Sequence, residues 1–292
     1  MGAQAKLRPS PPLRSVAAVP TAGFSLSAIL RTHLSRLAFV NRLCIALFAV
    51  YVLLAPAALL IRDLRDPALR GPGIPDRAWR THRALTPAFA RWARARVADG
   101  AGARFGVKGD VPATEWPLFS CVFYLMATDN LQAEWARTRP SAAPAPAVYA
   151  RDAIEAAAAL LVDPAHHAWV RAYWGTNIWR HHNLFFRSLI IAGLTRYESL
   201  TGDRRHHGLL TNQVISLAAE LDRSPHGLLE DYPGECYPID VLAAVGWIRD
   251  SDRVTGLDHA AFAARAERAF TGPGLDPRGL VPYMVDIGSR CQ

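Results

Sequence analysis

A stretch of nineteen residues at positions 43–61, LCIALFAVYVLLAPAALLI, carries no charged side chain. As a helix it would rise about 28 Å, close to the roughly 30 Å thickness of bilayer hydrocarbon. Transmembrane helices accept a proline such as Pro56 where neighbouring groups satisfy the freed carbonyl. A cleaved signal peptide would have a shorter apolar region nearer the terminus, and a soluble core helix is seldom apolar on every face. The sequence therefore predicts one membrane-spanning helix at 43–61.

The chain is basic on both sides of this helix. Residues 1–42 contain six Lys or Arg residues and no acid, and we expect them to form a flexible tail. Three arginines follow the apolar stretch, namely Arg62, Arg65 and Arg70, so the positive-inside bias nearly cancels and leaves the orientation open. The prediction is a single-pass protein of a bacterial inner membrane, with membrane lipid as a partner.

The overall composition argues against two classes of protein. The net charge of +8 comes from arginines spread through the chain rather than massed with aromatic residues, which disfavours a nucleic-acid partner. The four cysteines show no CxxC spacing, so neither a zinc site nor a disulfide framework is indicated; they are Cys44, Cys121, Cys236 and Cys291.

The rest of the chain is predicted to be all-α. A linker at 66–76 precedes a basic amphipathic helix at 77–99, whose apolar stripe would lie on the membrane surface or pack beneath the domain. No period-two alternation of strands follows. Helices are predicted at 114–138, 148–172, 178–201, 205–222, 240–253 and 258–270. The predicted domains are a tail (1–42), a membrane helix (43–61), a linker with the amphipathic helix (62–112) and a domain of helical hairpins (113–292).

Two similar segments suggest a repeat in this domain. SLTGD at 199–203 and RVTGLD at 253–258 lie 54 positions apart, and each places a glycine, Gly202 or Gly256, where a helix ends. The offset is about the length of one helical hairpin, which favours antiparallel pairs stacked as a solenoid or a closed toroid. About three pairs fit, so we expect an incomplete toroid of the (α/α)6 type.

A connection at 223–240, RSPHGLLEDYPGECYPID, concentrates acidic and aromatic side chains on a loop that its prolines and glycines keep from being helical. Asp231 and Asp240 are nine positions apart, and paired carboxylates divide acid and base roles when their pKa values are pushed apart. Alternatively, Asp240 caps the next helix. Tyr232 and Tyr237 are each placed to donate a hydrogen bond to a substrate oxygen or to wall the core, whereas Cys236 has no basic neighbour in sequence to make it a nucleophile.

Two other segments supply candidate groups. Asn183 and Phe185 lie in the aromatic-rich segment 174–190, and Glu115 precedes an apolar helix, either as a stabiliser of its N-terminus or as a cavity acid. The histidines come as sequence neighbours, which on a helix diverge by about 100° and do not chelate one metal. We therefore predict no metal site. The predicted catalytic residues are Asp231, Asp240 and Glu115, and the predicted substrate-binding residues are Tyr237, Asn183, Cys236 and Phe185.

Five segments, GTNIWRHHNLFFRSL, YESLTGDRRH, PHGLLEDYPGECYPIDVLAA, SDRVTG and LDPRGLVPY, resemble the linalool dehydratase/isomerase family over roughly residues 150–283. The resemblance implies an (α/α)6 barrel with a cavity near a subunit interface, and hence a homo-oligomer. It also implies acid/base chemistry on a small terpenoid alcohol without a metal or organic cofactor. Two cysteines of the family correspond to Asp231 and Asp240 and a histidine to Leu189, while a further acid corresponds to Glu115.

Our first hypothesis is a membrane-anchored lyase or isomerase that acts on a small hydrophobic alcohol through a carboxylate pair. A carbohydrate-processing or carbohydrate-binding toroid is the second hypothesis, because two carboxylates and aromatic walls also suit glycosidic chemistry. A non-catalytic, membrane-associated scaffold is the third, because the three family residues are replaced.

Overall fold

A computed structural model of the protein describes residues 26–100, 115–138, 144–180, 182–224, 226–270 and 279–285. The chain divides into two compact units, 1–65 and 66–292. Within the described ranges the secondary structure is helical, and the β-type pairing there is limited to two isolated bridges, Tyr232 with Glu235 and Cys236 with Val285. The prediction of an all-α fold is confirmed.

The first unit contains one long helix, α1 (Leu26–Leu64). Its segment His33–Leu64 is long and apolar enough to span a membrane, and none of it is buried within the protein. The helix begins well before position 43, so the prediction of a flexible tail is wrong for residues 26–42; residues 1–25 lie outside the described ranges. Once the apolar run has nucleated a helix, each further residue adds one hydrogen bond, and no Pro or Gly interrupts 26–42.

The second unit begins with a capped turn and a helix. Asp66 caps a short 3-10 helix (Pro67–Leu69) and also accepts a 2.9 Å hydrogen bond from the backbone N–H of Asp76. Helix α2 (Asp76–Asp99) follows, with Phe89, Ala90 and Ala93 on its buried face. The apolar stripe of this helix thus packs within the domain.

The next helices are α3 (Trp116–Thr138), α4 (Pro146–Tyr149), α5 (Arg151–Leu161) and α6 (Ala168–Trp174). The continuous helix predicted at 148–172 is wrong, because the chain breaks after α5 and continues through a 3-10 turn, Pro164–His167. Pro164 has no N–H to donate and disfavours helical conformation in the residue before it. The Asp163 side chain instead accepts from the backbone N–H of Ala165.

The remaining helices are α7 (Leu184–Thr201), α8 (His207–Arg223), α9 (Pro238–Thr255) and α10 (Ala260–Ala269). Helix α7 starts six residues later than predicted, because His182 and Asn183 have φ values of 36° and 51°. The expected glycine ends are confirmed: Gly202 and Gly256 adopt the left-handed conformation after α7 and α9.

Helix α7 is the centre of the second unit. Nearly all of its side chains are buried, and it packs against α3, α5, α8 and α9. Gly193 allows the closest approach, since a Cβ at this position would collide with Cδ1 of Leu161 on α5. Residues at the start of α7 are thereby held at fixed positions relative to the helices around them.

Helices α3, α7 and α9 run in the same direction. Asp129 on the second half of α3 accepts hydrogen bonds from Ser199 near the end of α7 and from Arg253 near the end of α9, at 3.2 and 2.7 Å. Arg253 also donates to Ser199 at 2.6 Å. These contacts join the C-terminal parts of the three helices, and near the N-terminal ends of α3 and α7 the rings of Phe119 and Phe185 lie 5.5 Å apart.

Candidate functional site

The loop at 229–237, which we call the acidic loop, is folded tightly between α7 and α9. Its turn is closed by backbone hydrogen bonds of 2.8 Å from Asp231 to Glu235 and from Glu235 to Tyr232. Gly234 has a φ of 83°, a conformation that favours glycine. The backbone N–H of Leu184, the first residue of α7, donates to the carbonyl of Glu230 at 3.0 Å. The loop is therefore attached to the N-terminus of α7.

Asp231 is a buried acid within this loop. Asp231 is only 1% exposed, and its Oδ2 accepts a 2.7 Å hydrogen bond from the backbone N–H of Tyr237. Burial raises the pKa of Asp231 to about 8, and the charges of Asp240 and Glu235 add to the rise, while backbone N–H groups of Tyr237 and Phe185 oppose it. Burial thus favours the protonated form of this carboxyl.

Asp240 lies near Asp231 on the first turn of α9. It is half-buried, and burial raises the pKa of its carboxyl. The expectation that it caps α9 is wrong, since Tyr237 occupies the cap position and Pro238 the first helical position, where its fixed φ favours helix initiation. The negative charge of Asp240 contributes to the raised pKa of the Asp231 carboxyl.

Glu115 immediately precedes α3 and points its carboxyl toward the same loop. It is 8% exposed, and it forms a hydrogen bond with the hydroxyl of Tyr232. Burial raises the pKa of both groups, and the neighbouring carboxylate of Glu115 raises that of the Tyr232 hydroxyl further. The carboxyl is thus engaged with the acidic loop rather than with the end of its own helix.

A group of aromatic rings adjoins Tyr232, the residue that contacts Glu115. The ring of Tyr232 lies 5.4 Å from that of Tyr173, 6.0 Å from that of Phe185 and 6.5 Å from that of Trp169, measured between centroids. Phe119 extends the group, with its ring 5.5 Å from Phe185. We call these five residues the aromatic cluster. Phe185 was expected at the site, and the other four members were not assigned to it from the sequence.

A sequence signal for the additional members did exist. Phe119 and Phe123 are four residues apart on α3, and their rings lie 4.7 Å from each other. Trp169 and Tyr173 have the same spacing on α6. Residues at i and i+4 lie on one helix face, so each pair marks an aromatic face. Tyr232 directly follows Asp231, but sequence alone did not distinguish it from Tyr237.

Asn183 is buried at the start of α7 and is not on a helix surface. Its Nδ2 donates to the carbonyl of Ile178 at 3.0 Å, and it is 1% exposed. Its Oδ1 has no hydrogen-bond partner among the residues that the structure describes. Since the next residue in the chain contacts Glu230, this amide borders the acidic loop.

The side chains of Tyr237 and Cys236 have contacts that the sequence did not predict. The Tyr237 hydroxyl donates to Oε2 of the exposed Glu235 at 2.8 Å, so it is the backbone N–H of Tyr237 that reaches Asp231. Burial raises the pKa of the Cys236 thiol to about 12, and the nearby acids Asp231 and Glu230 contribute to the rise. The thiol stays protonated and is a poor nucleophile.

The histidines take structural positions. The Nε2–H of His167 donates to the backbone carbonyl of Leu161 at 2.8 Å, and burial lowers the pKa of His167 to about 4. His166 pairs with Asp163 at 2.5 Å. In the described part of the chain no group of three or more His, Cys, Asp or Glu is arranged to hold a metal ion. His181 lies outside that part.

Leu189 is 1% exposed and lies one turn beyond Phe185 on α7. Comparison of the sequence with known protein families finds no match, and comparison with curated proteins finds none. The acids, the aromatic cluster and the direction of the three helices therefore provide the evidence on function.

Proposed function

We propose that the protein is a membrane-anchored enzyme that uses Asp231 and Asp240 as an acid/base pair to dehydrate or isomerise a small hydrophobic alcohol. One observation carries this proposal: a buried carboxyl with a pKa of about 8 lies beside a second carboxyl and an aromatic cluster. Perturbed pKa values of this kind concentrate at catalytic sites. Helix α1 supplies a segment able to anchor such an enzyme in a membrane.

The helix arrangement supports a toroid of the (α/α)6 type as the scaffold. In such a fold, alternate helices form an inner ring that runs in one direction. Helices α3, α7 and α9 share a direction and are separated in the chain by the other helices of the unit. Their N-termini carry Glu115, Asn183 and Asp240 to one end of the domain. Partial positive charge at helix N-termini favours negative charge there.

The proposed dehydration begins with Asp231 in its protonated form. Asp231 donates its proton to the hydroxyl oxygen of the alcohol, the C–O bond breaks, and water leaves with the bonding electron pair. Asp240, as a carboxylate, then removes a proton from the carbon next to the cationic centre, and the electrons of that C–H bond form the C=C bond. The net reaction is alcohol to alkene plus water.

The pair returns to its starting state by passing the proton from Asp240 back to Asp231. This return is favourable because Asp231 is the more deeply buried of the two, and burial favours its neutral form. The charge of Asp240 adds to the rise in the pKa of Asp231, so the proton that the cycle uses resides on Asp231.

The aromatic cluster suits the cationic intermediate. The face of an aromatic ring carries partial negative charge and attracts a cation within about 6 Å. Tyr232 is held in place by its hydrogen bond to Glu115 and by its contact with Tyr173. A hydrophobic substrate would also bury its carbon skeleton against Phe119 and Phe185.

The replacement of the family residues is compatible with this chemistry. Carboxyl groups at 231 and 240 transfer protons as thiols do, and the raised pKa of Asp231 brings it near the pH at which general acids work best. Leu189 provides no proton, so the three acids of the site must supply every transfer. We therefore expect activity on tertiary or allylic alcohols, whose cations form most readily.

Turnover by the full chain in lipid nanodiscs tests the proposal. Linalool and geraniol serve as substrates, and the alkene product is measured by gas chromatography. Asp231→Asn and Asp240→Asn should each lower the rate at least 100-fold, while Asp222→Asn, which alters an exposed ion pair with Arg265, should not. Unchanged rates in both site variants would overturn the proposal, as would hydrolysis of oligosaccharides without turnover of terpenols.

A further inference from the structure

Trp169 has a buried indole N–H that lacks a partner. The residue is 4% exposed, and no acceptor lies within hydrogen-bonding distance of its Nε1 in the described ranges. Leaving a buried donor unpaired costs roughly 1–3 kcal/mol, so such groups are few in native proteins.

Trp169 belongs to the aromatic cluster around the acids. Its ring centroid lies 6.5 Å from those of Tyr232 and Phe185, and both of these residues adjoin Asp231, one through the chain and the other through its backbone N–H. The indole is therefore on the same side of the domain as the proposed acid/base pair.

Asp231 offers a matching group. Its Oδ2 accepts from the Tyr237 N–H. The backbone N–H of Phe185 lies near the carboxyl and acts on its pKa, but Oδ1 is buried and makes no hydrogen bond to the described residues. An indole N–H only donates, and a carboxyl oxygen accepts or, when protonated, donates. A hydroxyl group is the ligand that satisfies both at once, because its oxygen accepts from the indole and exchanges a proton with the carboxyl.

We propose that Trp169 Nε1 and Asp231 Oδ1 form a hydroxyl-binding subsite, with Trp169 as the residue that selects alcohols over hydrocarbons of the same shape. This inference rests on the proposed function and specifies how that site recognises its substrate. A site with buried polar groups rejects an analogue that cannot pair with them. The alkene product lacks the hydroxyl, so the same pair favours its release.

The chain contains a matched control for this subsite. Trp174 lies on the same short helix, α6, and its indole N–H is also buried without a partner in the described part of the chain. Its ring stacks on His182 at 6.0 Å and is not part of the aromatic cluster. A Trp→Phe substitution at either position removes the same atoms.

The test measures calorimetric binding of two ligands to the full chain in nanodiscs. One is geraniol, and the other is 2,6-dimethylocta-2,6-diene, which has the same carbon skeleton without the hydroxyl. Trp169→Phe should weaken geraniol binding about 5- to 50-fold and hydrocarbon binding by no more than about twofold. Trp174→Phe should change neither. Equal weakening of both ligands by Trp169→Phe, or no effect on either, would overturn the subsite.

A second measurement needs no destabilising variant. In the wild-type chain with 15N-labelled tryptophan, one indole N–H resonance should move downfield on addition of geraniol and stay in place with the hydrocarbon. Trp169→Tyr provides its assignment if Trp169→Phe does not fold. Absence of such a shift despite geraniol binding would contradict the subsite alone, whereas a wild-type chain that binds neither ligand would contradict the proposed function itself.

Discussion

The carboxylate oxygen Oδ2 of Asp231 accepts a 2.7 Å hydrogen bond from the backbone N–H of Tyr237, the residue that caps α9. This bond ties the acidic loop to the helix that carries Asp240. The loop is also tied to α7 through the hydrogen bond from Leu184 to Glu230. Two helices therefore set the position of one buried acid, and this fixed position is what acid/base chemistry requires.

Asp231→Asn should flatten the dependence of stability on pH. The ordinary pKa of Asp is 3.8, and that of Asp231 in the folded protein is raised to about 8. The stability that its neutral form contributes is complete below pH 4 and is lost as the pH rises through 8. The Asn variant lacks this loss, so at pH 8 it should be more stable than the wild type by about 1–3 kcal/mol.

Chemical unfolding of the full chain in detergent between pH 4 and pH 9 measures this difference. Asp240→Asn and Glu115→Gln change acids whose pKa is raised in the same direction, so each should reduce the slope as well. A stability difference between Asp231→Asn and wild type that does not vary with pH would show that Asp231 is ionised in the folded protein.

Glu115 and Tyr232 should behave as a coupled pair. Glu115→Gln and Tyr232→Phe each break the hydrogen bond between the start of α3 and the acidic loop. The double variant should be less destabilised than the sum of the single variants, by about 0.5–2 kcal/mol. A double-mutant cycle on the free energy of unfolding measures the coupling, and strict additivity would mean that the two side chains do not interact.

Replacing Arg187 should lower the free energy of unfolding far more than replacing Arg265, an exposed arginine that also pairs with α8. The Arg187 side chain is fully buried, and its guanidinium binds Glu220 at 2.8 Å, Gln213 at 2.9 Å and Ser216 at 2.8 Å. Arg187→Gln leaves these groups without their partner and should cost about 3–5 kcal/mol.

The matched control for Arg187 is Arg265, which pairs with Asp222 on the surface and is 50% exposed. Arg265→Gln should cost less than about 1 kcal/mol. Denaturant unfolding of the two variants side by side gives the comparison. Similar losses in both would contradict the assignment of Arg187 as the cation that joins α7 to α8.

Gly193→Ala should destabilise the helix packing around α7. The added methyl group would collide with Leu161 and also lie 3.5 Å from Cγ2 of Val122. Because both neighbours are buried, we expect a loss of about 1–3 kcal/mol. Gly246→Ala is the control, since it lies inside α9 and a Cβ there meets open space; helix propensity predicts that it stabilises the protein slightly.

Several helix ends were predictable from the sequence. Glycines at 202 and 256 end α7 and α9 in left-handed conformation, and the helical periodicity identified α3, α8 and α10 to within a few residues. The start of α7 was not predictable in this way. Asn183 takes a left-handed conformation that the sequence pattern does not encode, because the pattern records only which residues are apolar.

The acidic residues of the candidate site could be predicted from the sequence, whereas most of its aromatic residues could not. Asp231, Asp240 and Glu115 stand out because carboxyls next to apolar helices are unusual. Tyr232 was not separable from Tyr237, since the choice depends on which hydroxyl reaches Glu115 and which reaches the exposed Glu235. The contact of Tyr232 is a tertiary feature, because Glu115 precedes α3 and is far from the loop in sequence.

The protonation state of Asp231 is the most direct test of the central claim. Infrared spectroscopy of the full chain should show at pH 7 the carbonyl absorption of a protonated carboxyl that is missing from the Asp231→Asn variant. As the pH is raised, this band should decrease with an apparent pKa of about 8. Identical wild-type and variant spectra at pH 7, or a band that disappears near pH 4, would contradict it.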